Sequence, residues 1–391
     1  MAEIKPEIET FAKIKVIGVG GSGGSAVNRM VKSKIRGVEF LAVNTDVQAL
    51  HHSQANARLH IGKLTTRGLG AGMDPELGEK SAEESQNEIR DLLKGADMVF
   101  ITCGLGGGTG SGAAPVIANM AKEAGALTLA VVTKPFSFEG AQRKEIAERG
   151  LANLRDKVDA IVIIPNDRLL QVIDKKTSLL EAFDICDEVL QQGVAGIAEI
   201  ITVPGLINVD FADVKTIMRD TGSALMGVGL GSGENRATDA AKAAITSPLL
   251  ELSIEGAKGI LFTVVGGKDL SMNEVSEAAK IITQSSDPNA RIIFGAVIDE
   301  NLKDEVRITV IAAGFSGRGE GKSSPESYFA KETVYTPNEF IQTKNRQADE
   351  ELKEIQRLPK KPAPRLFSQA AEKTEEEEEL EIPAFIRKKM K

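Results

Sequence analysis

Nine residues, Gly104-Leu-Gly-Gly-Gly-Thr-Gly-Ser-Gly112, contain six glycines and follow directly on the apolar run Asp97 to Cys103. So many glycines carry a large entropic cost in a folded chain, so the backbone here must come closer to something than side chains would allow. The residues after it, Ala113 to Lys122, read as a helix. A strand, a glycine loop and a helix N-terminus together bring free N–H groups and the positive end of a helix dipole to one point. Phosphate is the usual occupant of such a site.

The flanking pattern extends this reading. Strands are expected at Lys13–Val19, Val38–Val43, Asp97–Thr102, Leu127–Thr133 and Asp159–Ile164, with helices at Ser25–Ser33, Pro75–Leu93 and Glu139–Asp156. Alternation of this kind predicts an α/β, Rossmann-like domain whose mostly parallel sheet is covered by helices. Ligands then bind at the carboxyl ends of the strands, where the glycine loop falls. A long central helix is expected from Ser178 to Ile201, ended by Pro204-Gly205. A second, smaller α/β unit follows, with strands at Lys258–Val265, Ala290–Val297 and Glu305–Ala312 and helices at Arg236–Ile245 and Met272–Gln284. The expected division is a flexible N-terminus at 1–12, a nucleotide-binding domain at 13–177 and the central helix at 178–203. An acidic loop with its helix takes 204–221 and a C-terminal α/β domain 222–317. Residues 318–379 are polar, without sustained periodicity, and end in five consecutive acids, so they read as a disordered linker. Residues 380–391 reverse that trend: Ile382-Pro-Ala-Phe-Ile386 followed by Arg387-Lys-Lys389 reads as a docking peptide.

Other glycine segments compete as nucleotide signatures. Gly18-Val-Gly-Gly-Ser-Gly23 fits G-x-G-x-x-G between a strand and a helix, with Glu39 and Asp46 downstream, which is formally a dinucleotide fingerprint. A dinucleotide-dependent oxidoreductase therefore stands as an alternative, although it leaves the richer loop at Gly104 idle. Ser316 to Ser323 nearly matches a P-loop but lacks the first glycine and the following helix. With no P-loop lysine elsewhere, phosphates must be held chiefly by backbone amides and a metal. Glu139 and Arg143 are at i,i+4 spacing just past a strand end. They form either a surface ion pair or a ligand pair, carboxylate to ribose and guanidinium to phosphate. Asp210 and Asp213 are three residues apart at the start of a helix. They can cap it, or orient a water, or do both.

Taken together, these segments resemble the tubulin/FtsZ family of GTPases over residues 11 to 317, plus the terminal peptide. Gly106 to Gly112 is similar to the family's G-G-G-T-G-[ST]-G signature. Asn208-Val-Asp-Phe-Ala-Asp213 is similar to its catalytic loop, and Glu381 to Lys388 to its tail peptide, with Glu replacing Asp. The resemblance implies a nucleotide site in which Gly20, Gly21, Ser22, Gly23 and Gly24 line a first phosphate loop. Ala71 and Gly72 would lie near the γ-phosphate, and Gly106, Gly107, Gly108, Thr109 and Gly110 would form the main cradle. Glu139 would take the ribose, Arg143 would lie beside the phosphates, and Asn166, Phe183 and Asp187 would hold the base. Asp187 would accept from the guanine N1 and N2 donors, which favours GTP over ATP. Ser25 stands where the family usually has Asn, so a shorter hydroxyl replaces an amide contact to guanine.

The implied function is a GTP-hydrolysing cytoskeletal protein that polymerises head-to-tail with Mg²⁺ and builds the division ring. Asn208, Asp210 and Asp213 of one subunit would complete the site of the next. Ile382, Pro383, Ala384, Phe385, Ile386 and Arg387 would bind membrane-tethering partners such as FtsA-like adaptors. A scaffold with purely structural GTP is a further alternative. The net charge of −8 argues against nucleic acid as a partner. Two cysteines, Cys103 and Cys186, without metal or redox spacing fit a reducing compartment. No leader pattern occurs in Met1 to Thr10 and no run is long enough to span a bilayer, so a cytoplasmic location with recruitment to mid-cell is expected, without membrane insertion.

Overall fold

A computed structural model describes residues 12–170, 177–203, 205–247, 254–299, 302 and 304–315. The linker and docking peptide expected at 318–391 lie outside the described residues.

The chain opens with β1 (Ile14–Val19), α1 (Gly20–Lys32), β2 (Val38–Asn44), α2 (Val47–His51) and β3 (Ala57–His60). Next come α3 (Pro75–Glu84), α4 (Gln86–Leu93), β4 (Met98–Gly104), α5 (Gly108–Glu123) and β5 (Leu127–Lys134). A 3₁₀ turn (Ser137–Glu139) leads into α6 (Ala141–Arg155), β6 (Ala160–Pro165), α7 (Asn166–Leu169) and the long α8 (Leu179–Thr202). The remainder is α9 (Phe211–Met218), β7 (Gly222–Ser232), α10 (Arg236–Ile245), β8 (Ala257–Gly266), α11 (Met272–Gln284), β9 (Arg291–Ile298) and β10 (Glu305–Phe315).

One sheet runs β3-β2-β1-β4-β5-β6-β7-β10-β8-β9. Its first seven strands are parallel neighbours, β10 is antiparallel to both β7 and β8, and β8 and β9 are parallel. Side chains alternate across a strand, so a sheet covered on both faces buries both sets. In β1, Ile14 and Val16 join the cluster under α1 and α8, whereas Ile17 and Val19 join the cluster under α3, α4, α5 and α6. A third cluster packs α10 and α11 against β8 and β10.

The expected strands and long helices are present, and the differences have local causes. α1 starts at Gly20, not Ser25, because a glycine run without side chains shows no helical period. The helix expected from Pro75 to Leu93 breaks at Ser85, whose hydroxyl accepts from the Gly62 N–H at 3.3 Å. β7 is not among the expected strands, because four glycines in Gly222–Ser232 interrupt its apolar alternation. Its glycines serve packing: a Cβ on Gly229 would lie 2.0 Å from the Ala240 carbonyl oxygen, and one on Gly231 2.0 Å from that of Arg236. α10 therefore rests directly on the strand backbone.

Candidate functional site

Five parallel strands deliver their carboxyl ends to one edge of the sheet, and most of the expected nucleotide residues stand there. β1 runs into Gly20–Gly24, β2 into Asn44 and Thr45, β4 into Gly104–Gly110, β5 into Glu139, and β6 into Asn166. The two glycine loops are in contact. A Cβ on Gly104 would sit 2.7 Å from the Ser22 Oγ, and one on Gly20, at φ +76°, 3.2 Å from the Gly110 nitrogen. Gly106 takes φ +100°, which a side chain would strain, and its N–H donates to the Ser111 hydroxyl at 2.9 Å. The Gly108 N–H donates to the Gly72 carbonyl at 2.8 Å, which draws Ala71 and Gly72 to the start of α5. By contrast, a Cβ on Gly21, Gly24 or Gly107 would meet no described atom within 4 Å. These three backbones face open space, which is the shape a bound anion needs.

The remaining expected contacts gather beyond the glycine loops. Phe183, near the start of α8, stands edge-on to the buried Phe136 ring, with centroids 5.5 Å apart, and keeps 41% of its surface exposed. One ring face is thus held for stacking. Asn166 is 6% exposed, yet its side-chain oxygen has no hydrogen-bond partner among the described residues. A buried amide oxygen left without a donor costs stability, so this atom calls for a ligand N–H or O–H. The Asp187 carboxyl is pushed up to about 6, chiefly by burial; Arg29 pulls it down and Asp184 adds to the rise. Glu139 accepts from the Phe136 N–H at 2.9 Å and pairs with Arg143 at 2.7 Å. Ser25 is exposed beside Gly24, and both line a cavity of about 260 Å³ together with Asn44 and His52. A larger groove of about 1250 Å³, between α3, α4, α5 and α6, contains none of the expected site residues.

Two contacts were missed by the sequence reading. Thr45 is fully buried with its hydroxyl 2.7 Å from that of Thr109, locking the end of β2 onto the cradle. Arg29 of α1 pairs with Asp184 of α8 at 3.0 Å, clamping the two helices beside Asp187. The polar trio Asn44-Thr45-Asp46, directly after a buried strand, was the available signal for the first. The second joins distant segments and leaves no local trace.

The dinucleotide alternative loses its acid. Glu39 lies within β2, in register with Lys15, and pairs with it at 3.3 Å. Asp46 caps α2 by accepting from the Gln48 and Ala49 N–H groups at 2.8 and 3.3 Å. Glu39 is thus spent in an ion pair, and Asp46 has one oxygen committed to the helix cap.

The acidic loop is built elsewhere. The N–H groups of Leu206 and Ile207 donate to the Ala296 carbonyl at 2.8 and 3.3 Å, fastening the loop to β9. The Asn208 side-chain oxygen accepts from the Gly205 N–H at 2.6 Å, and Asp210 caps α9 by accepting from the Asp213 N–H at 2.9 Å. Asn208, Asp210 and Asp213 are exposed. The loop follows the C-terminal end of α8, whose 24 residues span about 36 Å. Phe183 and Asp187 stand in its first half, about 28 and 22 Å along the helix from the end where the acidic loop begins. Among the described residues no group of three His, Cys, Asp or Glu side chains could hold a metal ion. A divalent cation here would depend on phosphate oxygens for most of its ligands.

The chain is similar to known proteins over its described length. The model of the tubulin/FtsZ family GTPase domain matches residues 13–174, and that of the FtsZ family C-terminal domain matches residues 222–316. A solved FtsZ dimer from M. jannaschii is 47% identical, with a TM-score of 0.77, covering 80% of this chain and 90% of that one. The GDP-bound CetZ1 monomer from Haloferax volcanii is 24% identical with a TM-score of 0.68, covering 78% and 95%. CetZ2 from the same organism, a GTPγS-bound protofilament, is 24% identical with a TM-score of 0.65, covering 87% and 99%. At that identity the CetZ likenesses speak for the fold.

Proposed function

Because the chain belongs to the tubulin/FtsZ family of GTPases, we propose that it binds GTP at the strand-end site and assembles head-to-tail. Each subunit's Asn208, Asp210 and Asp213 then complete the site of its neighbour. The observation that carries this reading is the separation along α8: Phe183 and Asp187 lie about 20–30 Å along the helix from the end that leads into the acidic loop. Gly20–Gly24, Ala71–Gly72 and Gly106–Gly110 hold the phosphates, with Mg²⁺ bound mainly through phosphate oxygens to offset their charge. The ribose takes Glu139, and the base lies on Phe183 with its N1 and N2 donors toward Asp187. The orphaned Asn166 oxygen supports this placement. A relative solved as a dimer and another solved as a protofilament support self-association.

The bound phosphates need a nucleophile delivered in line, and Asp210 and Asp213 are suited to orienting a water against the γ-phosphate. Asp210 is fixed by its cap, so the pair arrives pre-oriented. Assembly at the division site, recruitment from the cytoplasm and docking of the terminal peptide on FtsA-like adaptors complete the reading. Among the described residues no helix is long and apolar enough to cross a membrane. The test is phosphate release per subunit, recorded with light scattering across a dilution series in GTP and Mg²⁺. Turnover that rises with concentration is expected; a flat profile would falsify the shared site.

A further inference from the structure

β6 and β7 join the nucleotide-bearing strands to the C-terminal ones, and their pairing is short. It runs from Ala160 beside Gly222 to Val162 beside Ala224, whereas β7 stays beside β10 from Ala224 to Ser232. Side chains close the start of that seam. The Lys122 ammonium, in the last turn of α5, lies 2.9 Å from an Asp220 oxygen and 3.5 Å from an Asp159 oxygen. It also donates to the Val158 carbonyl at 3.4 Å. Asp159 directly precedes β6, and Asp220 lies two residues before β7. The Asp159 carboxylate is buried, and its other oxygen accepts from the Thr128 N–H at 2.8 Å. Its backbone carbonyl accepts from the Gly222 N–H at 3.0 Å. The hydrogen bond to Asp220 raises the Lys122 ammonium above its usual range, and the same bond holds the Asp220 carboxyl below its own.

The same aspartate terminates the helix that carries the acids. Asp220 takes φ +52°, a left-handed turn just past α9. The next residue, Thr221, donates its hydroxyl to the carbonyl of Met218, the last residue of α9, at 3.0 Å. α9 itself is closely packed: Val214, Ile217 and Met218 are buried, and a Cβ on Gly259 of β8 would fall 2.9 Å from the Ile217 Cγ2. The helix is eight residues long, so Asp210 and Asp213 stand about 12 Å or less from the turn that Lys122 holds. α5 therefore touches both halves of the proposed reaction. Its first turn belongs to the phosphate cradle, and its last turn grips the far end of the helix that presents the acids.

We infer that Lys122 is a positioning residue for hydrolysis: by clamping Asp220 against Asp159 it fixes the direction in which α9 presents Asp210 and Asp213. This rests on the shared-site reading above. Asp210 caps α9 and Asp213 sits in its first turn, so both acids follow any tilt of the helix. In a head-to-tail row such a tilt misplaces the acids at the neighbour's γ-phosphate. The chain's own phosphate loops stay as they are, because the partners of Lys122 include no residue of the proposed nucleotide site. A misplacement of about 1 Å is enough to cost about 10²-fold in rate. A lysine that merely held the fold would show itself differently, in stability, because its loss strands the buried Asp159 carboxylate without a counter-charge.

The test centres on Asp220→Gly, because glycine keeps the left-handed turn and removes only the carboxylate. That change also loses an exposed pairing with Arg219 at 3.8 Å, so Lys122→Met and the double variant Lys122→Met/Asp220→Gly are measured beside it. Three quantities are read: GTP affinity under dilute conditions, the assembly threshold by light scattering, and phosphate release per assembled subunit in saturating GTP and Mg²⁺. Asp220→Gly and Lys122→Met are each expected to lower release about tenfold, with affinity and threshold unchanged within about twofold. Asp220→Asn keeps an oxygen for Lys122 without the charge and should fall between. The double variant should be no slower than the slower single change, since both act through one contact. Unchanged release in Asp220→Gly, multiplying effects in the double variant, or release that falls only in step with affinity or assembly overturns the inference. If Lys122→Met loses its circular dichroism spectrum, Asp220→Gly against Asp220→Asn decides, and equal release in those two overturns it. Release by the unaltered chain that stays flat with protein concentration overturns the shared-site reading, and this inference with it. Normal concentration dependence with an unchanged Asp220→Gly overturns this inference alone.

Discussion

The carboxylate of Asp210 accepts a hydrogen bond from the backbone N–H of Asp213 at 2.9 Å. One acid thus sets the helix start from which the other projects, so the two can be separated by mutation. Asp213→Ala keeps the cap and removes only a side chain. Hydrolysis is expected to fall by about 10²–10⁴-fold, the usual contribution of a positioned acid or base. GTP affinity should stay close to that of the unaltered chain. Asp210→Ala should also lower the melting temperature, because losing such a cap costs about 1 kcal/mol. Phosphate release, equilibrium nucleotide binding and calorimetry distinguish the two.

Base recognition should depend on acidity. Burial raises the Asp187 carboxyl to about 6, and only its ionised form can accept from both guanine donors. Below that value GTP affinity is expected to weaken by about tenfold per pH unit. In the free protein the sign is opposite. A carboxyl whose folded value lies above its unfolded one favours folding fully below the unfolded value. That contribution is lost as pH rises through about 6. Fluorescent-nucleotide titrations from about pH 5 to 7.5 check the binding arm, and Asp187→Ala should flatten the profile.

The glycines divide into two groups with opposite expected effects. Gly24 lies inside α1 and its Cβ would meet no described atom, so Gly24→Ala should stabilise the helix by about 0.5–1 kcal/mol. If phosphate lies against that backbone, the same change weakens GTP binding. Gly112→Ala forces a Cβ to 1.9 Å from the Pro75 carbonyl oxygen and should destabilise the chain with or without nucleotide. Melting temperatures with and without GTP separate these cases.

In the C-terminal region, the Arg236 guanidinium is buried between Glu274 at 2.6 Å and Asp269 at 2.5 Å. The Arg236 hydrogen bond, helped by the Ser271 N–H and hydroxyl, brings the Glu274 carboxyl down to about 2 against the opposing effect of burial. A depressed carboxyl stabilises the fold above its unfolded value, and the contribution is lost as pH falls from about 4.5 toward 2. Arg236→Met leaves the partly buried Glu274 without its cation and should lower stability at neutral pH more than at acid pH. Urea unfolding at neutral and acid pH checks size and sign together.

Removing the residues after Thr374 should spare assembly and abolish adaptor binding. Co-sedimentation with vesicles carrying an FtsA-like protein, alongside light scattering, tests both. Loss of filaments in that truncation would show that the tail serves assembly itself.

The layout of the first half was readable because buried parallel strands announce themselves as apolar runs and α8 as a long periodic stretch. The glycine loop was readable for the opposite reason, since its composition is costly anywhere that close backbone approach is not needed. β7 escaped because its alternating glycines answer to α10, a helix later in the chain. The Arg29–Asp184 contact escaped because it joins segments that no local pattern relates, whereas for Thr45–Thr109 only the Thr45 side left a sequence signal. Asp46 was misleading in the dinucleotide reading: a carboxylate after a strand suits a ribose, and here it caps the next helix.

The length of α8 also fixes a count. If each complete site takes its phosphate loops from one copy and its acids from the next, a row of n copies contains n − 1 working sites. The copy at one end keeps its nucleotide, and the copy at the other end has acids with nothing to act on. Such a row is directional and open-ended. Its two ends are chemically different, so growth and loss need not occur at the same end.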